Sequence, residues 1–142
     1  MHRRDLRQLS RLRIREARVL LRAGAFAGAY YLAGYAVECV LNACAARKFR
    51  PQEIPERKLV NDLHTHELER LLDIAGMHAS LEREGAERTG LLAHWNVVKD
   101  WKATVRYNPR ITSQAARELY SACAGRRSGV LSWLRTRWRS RS

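Results

Sequence analysis

Arg106 and Tyr107, preceded by Trp101 and Lys102 and followed by Arg110, place fixed positive charge beside aromatic rings. That combination suits a nucleic acid, because guanidinium groups grip phosphate in a planar fork and ring faces stack on bases. The same interleaving recurs in the C-terminal WLRTRWRSRS, where Trp133 and Trp138 alternate with Arg135, Arg137, Arg139 and Arg141. Each set has a plainer reading. Arg106 paired with Glu38 beside a buried Tyr107 would be structural, and tryptophans five residues apart commonly anchor a terminal helix to a core. His64 and His66 form an H-x-H pair, but no cysteine or carboxylate cluster completes a ligand set, so neither a metal nor any other cofactor is expected.

The charge is unevenly placed. The net charge is +13 over 142 residues, and residues 1–22 hold eight arginines against Asp5 and Glu16, a local +6. Residues 126–142 hold six arginines and no acid, another +6, which leaves the 103 residues between them nearly neutral at +1. Lys48, Lys58, Lys99 and Lys102 are the only lysines. Arginine concentrated at two ends fits contact with a phosphate polymer or an acidic protein, although a compositional bias toward arginine would give the same count without a function.

A chain of this length with 46% hydrophobic residues suits one domain, read as 1–142, with an arginine-rich first helix (1–22) and a basic tail (126–142). The three cysteines, Cys39, Cys44 and Cys123, form no C-x-x-C pair and read as reduced packing residues of a cytoplasmic protein. The longest uncharged run, Ala23 to Val37, has 15 residues and falls short of a membrane span. An interfacial role for the amphipathic first helix ranks behind its use in covering the second, so no membrane partner is expected.

The elements that must position these groups are helical. From about Arg4 to Arg22, apolar residues return every three or four positions among arginines, and Gly24 separates this helix from a second over 25–49, giving a tight antiparallel hairpin. Pro51 and Pro55 make 50–63 a loop, and a third helix is expected near Thr65, capped by Thr65 or Asp62 and ending at Gly76. The glycine-bearing stretch 77–90 reads as a connection with one short helical turn. Leu91, Leu92, Trp95, Val98 and Trp101 then predict a fourth helix over 91–104, broken at Asn108-Pro109. Thr112 or Ser113 caps a fifth helix that buries Ala116, Leu119, Tyr120 and Cys123, and VLSWLRTRW adds a final helical segment. No stretch alternates with period two, so the expected fold is an all-α antiparallel bundle of four to five helices.

Within the second helix, Phe26, Tyr30, Ala33, Val37, Val40, Leu41 and Cys44 share a side that reads as core. Gly24, Gly28, Tyr31, Tyr35, Glu38 and Asn42 share the other. Tyr31, Tyr35, Glu38 and Asn42 are too aromatic to be a solvated face and predict a helix or subunit contact with a polar centre.

The segment ARVLLRAGAFAGAYYLAGYAVECVLNACAARKF (17–49), followed by THEL (65–68) and RYNP (106–109), resembles in order the first hairpin, the histidine-bearing third-helix start and the Arg-Tyr-Pro-type element of HEPN domains, with Asn108 inserted before Pro109. That resemblance implies a helical homodimer acting on or with RNA or nucleotides, in a toxin-antitoxin or defence module beside a minimal nucleotidyltransferase. It makes His66 the third-helix histidine. Active members are metal-independent ribonucleases with an R-x4-6-H pair, in which histidine moves the 2′-hydroxyl proton and arginine stabilises the phosphorane. Arg57-x6-His64 and Arg88-x5-His94 match that spacing, as chance allows among so many arginines, and only the second lies on an expected helix. The region corresponding to the family's last core helix, YNPRITSQAARELY, contains no histidine. Arg88 and His94 are therefore the catalytic candidates. The binding candidates are Lys102, Arg106, Tyr107, Arg110, Arg135, Arg137 and Arg139, and the leading expectation is RNA or nucleotide binding. A ribonuclease toxin and a structural subunit for an acidic partner are the alternatives.

Overall fold

The computed structural model describes residues 3–47 and 67–140. Among them there are seven α-helices, one 3-10 helix and no strand: α1 (Arg3–Arg22), α2 (Phe26–Ala46), α3 (Leu68–Ile74), α4 (His78–Glu87), α5 (Leu91–Val98), η1 (Ala103–Tyr107), α6 (Ser113–Ala124) and α7 (Val130–Ser140). The all-α class is as expected. The count exceeds four to five because the connection between Gly76 and Gly90, both at positive φ, is itself helical and the final segment forms a full helix. Among the described residues no helix is long and apolar enough to cross a membrane.

Helix α1 forms because its apolar residues recur at helical spacing in a run without glycine or proline, and arginine is itself a good helix former. It stops at Gly24, whose φ of +81° only glycine adopts cheaply, and the Ala25 N–H donates to Leu20 O at 2.8 Å to close the last turn. The hairpin with α2 follows. Ser10 and Ala17 are buried at the seam, and the Ser10 hydroxyl donates to the Ala36 carbonyl at 2.7 Å, so small side chains bring the two helices close. Leu12 and Val19, seven residues apart, face outward instead of joining the apolar stripe.

Helix α2 is the central post. Ala36 to Leu41 are buried in unbroken succession, which a helix achieves only when neighbours surround it. Its two sides are therefore both interior. Gly34 meets the Trp101 indole so closely that a Cβ there would lie 2.3 Å from the ring. Tyr31 stacks on the same indole at 6.0 Å between centroids and lies 5.9 Å from Tyr35, while Glu38 is only 2% exposed. On that side Tyr31 therefore meets the segment around Trp101 in the same chain, and Glu38 is enclosed.

Two further elements differ from expectation. The stretch 77–90 carries a ten-residue helix, α4, in place of a single turn. Gly85 is tolerated inside it because Leu92 fills the space of its missing side chain: a Cβ would lie 2.4 Å from Leu92 Cγ. The fourth expected helix ends at Val98 instead of residue 104, after two β-branched valines that favour helix weakly. A turn follows, with the Trp101 N–H donating to Val98 O at 3.0 Å, and it still delivers Trp101 to the core at 1% exposure. The break at Asn108-Pro109 and the Thr112 cap are as read, the Thr112 hydroxyl accepting from the Ala115 N–H at 3.1 Å. Buried side chains from α1 to α7, Trp95, Trp101 and Trp133 among them, form one apolar cluster. Helix α7 adds Val130, Leu131, Trp133 and Leu134 to it.

Candidate nucleic-acid interface

The basic ends of the chain meet. Helix α1 presents Arg11, Arg15 and Arg18 outward, all exposed and within about 60° of one another at 100° per residue. Across from them stand the α6–α7 turn with Arg126 and the second turn of α7 with Arg135. Between these walls runs an open cleft of about 350 Å³ whose lining includes Ile14, Arg15, Arg18, Tyr120, Arg126 and Arg135. It is flanked by a shallower one lined by Arg11, Ile14, Arg15 and Arg135. Among the described residues no acidic one lines either cleft. Among the described residues Arg11, Arg15, Arg18 and Arg126 make no ion pair.

The turn that carries Arg126 is held on several sides. The Gly129 N–H donates to Gly125 O at 3.1 Å, and the Ser132 hydroxyl donates to the Arg126 carbonyl at 2.9 Å. A Cβ at Gly129 would lie 2.3 Å from Gly125 O, so this approach requires glycine. His94 adds a third tether, its Nδ1 lying 2.8 Å from the Ser128 carbonyl oxygen. At the other end of α7, the Arg7 and Arg47 guanidinium carbons sit 4.4 and 4.5 Å from the Trp138 ring centroid, and Arg47 Nη1 donates to Trp138 O at 3.3 Å. Trp138 is thereby the anchor that the plainer reading made it.

The sequence-predicted residues fall in different places. Arg135 lines the groove, and Arg137 instead faces Glu84 at 3.6 Å. The side chain of Arg139, and Arg57, His64 and His66, lie outside the described residues. Lys102, Arg106, Tyr107 and Arg110 are exposed, the first just before η1, the next two within it and the last beyond it, and none of them lines the groove. Arg106 Nη2 donates to the Tyr107 hydroxyl at 2.7 Å and its guanidinium carbon lies 4.7 Å from that ring centroid, a bond that holds the Arg106 charge above its ordinary range. Tyr107 is 72% exposed and not buried, and Arg106 bonds it in place of Glu38. The Asn108 side chain accepts from the Arg110 N–H at 2.9 Å and fixes the turn beyond.

Arg88 ends α4, with Nη1 enclosed and lacking a hydrogen-bond partner among the described residues. His94 is half-buried one turn into α5. No hydrogen bond links the two side chains. A carbonyl oxygen only accepts, so Nδ1 is the donor to Ser128 O and Nε2 is the ring nitrogen left to act in proton transfer. Around Glu38, burial raises the Tyr35 hydroxyl, and burial with the neighbouring Glu38 charge pushes the Cys39 thiol up to about 12. Burial alone raises Cys123. These thiols are packing groups, far from the thiolate range of a nucleophile.

Arg11, Arg15, Arg18 and Arg126 were not singled out in the sequence. Their signal was present as the charge excess of the two ends, and the spacing of the first three along α1 would have gathered them into one row. No protein-family model matches the chain, and no curated protein or solved structure matches it.

Proposed function

We propose that the chain is a HEPN-like helical module that binds RNA in the groove between α1 and the α6–α7 turn. One observation carries this reading: arginines from the two charged segments, more than a hundred residues apart in sequence, share a groove with no acid among its described lining residues. The Arg11, Arg15, Arg18 and Arg126 guanidinium groups are exposed and make no ion pair among the described residues, which keeps their donors for phosphate, so binding draws on counterion release and weakens with salt. The homodimer and the nucleotidyltransferase neighbour implied by the HEPN resemblance belong to this proposal as its setting.

The test is a titration of labelled RNA with the protein and with the Arg11→Gln/Arg15→Gln/Arg18→Gln variant at several salt concentrations. The variant is expected to retain the helical circular-dichroism spectrum and to lose about two units of slope in log K against log salt. An unchanged slope and affinity would place the RNA elsewhere.

A catalytic version of the same module is favoured by the His94 tether, which leaves Nε2 available and bonds the ring to Ser128, two residues from Arg126. In it, Nε2 takes the 2′-hydroxyl proton while Arg88 stabilises charge on phosphorus. His94→Ala would then lower metal-independent RNA cleavage by about two to four orders of magnitude with binding nearly intact. Wild-type protein that binds RNA and leaves it uncut removes this version and keeps the binding module.

A further inference from the structure

The groove has a geometry that selects among nucleic acids, and this step rests on the RNA-binding reading above. Arg11 and Arg15 are four residues apart on α1, a rise of about 6 Å, and Arg18 continues the row a further 4.5 Å or so. The first step is close to the separation of successive phosphates along one extended strand. The row lies along one wall of a cleft, with Arg126 and Arg135 on the facing wall, so charge reaches a ligand from two sides. A single phosphodiester chain lying in such a channel meets both walls. A duplex is recognised differently, by contacts to phosphates and 2′-hydroxyls spread over two successive minor grooves, which calls for a broad surface instead of a short channel.

Tyr120 gives the groove an aromatic ring. It is half-buried on α6 and is the one aromatic side chain among the residues lining the groove. A base splayed from a single strand presents a face that a tyrosine ring stacks on, whereas a paired base does not. Trp138, by contrast, already has two guanidinium groups over its ring. From the arginine row, the facing wall and the lone tyrosine we infer that the groove is a single-strand channel. It tracks about three successive phosphates on α1 and stacks one base on Tyr120, with little regard to base identity.

The experiment compares fluorescein-labelled oligouridine with an oligouridine–oligoadenine duplex of equal length, titrated with the full chain over a series of KCl concentrations. The single strand is expected to bind roughly tenfold more tightly at each salt concentration, the size of one stacked base. Tyr120→Leu should abolish that margin without changing the salt slope, and Tyr120→Phe should restore it. Arg15→Gln should lower the slope for the single strand by about 0.7, whereas Arg83→Gln, the same charge change on exposed α4, should leave it unchanged. Equal affinity for strand and duplex, with Arg15→Gln still effective, would overturn the single-strand channel and leave the groove as an RNA site. Equal effects of Arg15→Gln and Arg83→Gln, or no binding of either probe, would overturn both.

Discussion

Helices α1 and α2 lie side by side with nearly equal lengths, 20 and 21 residues, and put their side chains to opposite uses. Among the described residues α1 buries Ser10 and Ala17 fully and turns a row of arginines to solvent. α2 is packed on every side and carries no basic residue between Phe26 and Ala46. The consequence is a separation of roles: changes on the outer face of α1 should be read in binding, and changes in α2 should be read in stability.

The strongest test of that separation is the triple Arg11→Gln/Arg15→Gln/Arg18→Gln change. Because each phosphate contact contributes about 0.7 to the salt slope, three lost contacts should weaken RNA binding on the order of a hundredfold at about 0.1 M salt. Urea midpoints should scarcely move, since the three side chains are exposed and make no ion pair among the described residues. A large fall in stability would mean that the arginine face is also structural.

The reciprocal change is Gly34→Ala. A methyl group there would lie 2.3 Å from the Trp101 ring, which is 1% exposed and cannot swing away. Overpacking of this kind costs about 1–3 kcal/mol, and it should appear in the urea midpoint with the RNA salt slope unaltered. Recovery of stability in Gly34→Ala/Trp101→Leu would confirm that the indole is the obstruction. Stability equal to wild type in the single variant would show that α2 has more room than its neighbours imply.

These contrasts explain what was legible in the sequence. α1 was readable because amphipathic spacing and a terminal glycine are local signals, and the Thr112 cap is local too. The Tyr31-Tyr35-Glu38-Asn42 side was recognisable as a contact because tyrosines and a carboxylate at helical spacing are costly to leave unsatisfied. What covers it was not, since the turn after Val98 that brings Trp101 to Gly34 leaves the same spacing as a continuing helix. α4 was missed because Gly85 reads as a breaker until Leu92 is seen filling its place. The groove was illegible for a different reason: Arg15 and Arg135 become neighbours only through the packing of α1, α6 and α7.

Alkaline pH should separate the two helices in a second way. Burial raises the Tyr35 hydroxyl, and it raises the Cys39 thiol from 9.0 to about 12, so the folded state holds these protons after the unfolded chain has begun to release them. Stability is full below the unfolded values and falls as pH climbs through this window. Cys39→Ala should flatten the loss of urea stability between pH 9 and about 12. An unchanged slope would assign the alkaline response to other groups.

The smallest expected effect lies on α1 itself. Val19 is 65% exposed, one of the outward apolar residues of a helix whose charged row faces the groove. If that face meets only water, Val19→Ser should change the urea midpoint by less than about 0.5 kcal/mol equivalent, as surface substitutions do. Val37 on α2 is fully buried, and Val37→Ser removes packing and adds a buried hydroxyl, so it should cost several times more, about 2 kcal/mol or above. The pair is informative because side-chain type is held constant while the helix is changed. A cost at Val19 approaching that at Val37, together with a concentration-dependent midpoint, would mean that a second copy of the chain covers this face of α1. Equal, small and concentration-independent costs at Val19 and Leu12 leave this face of α1 in water, with the helix held through its contacts to α2 and α6.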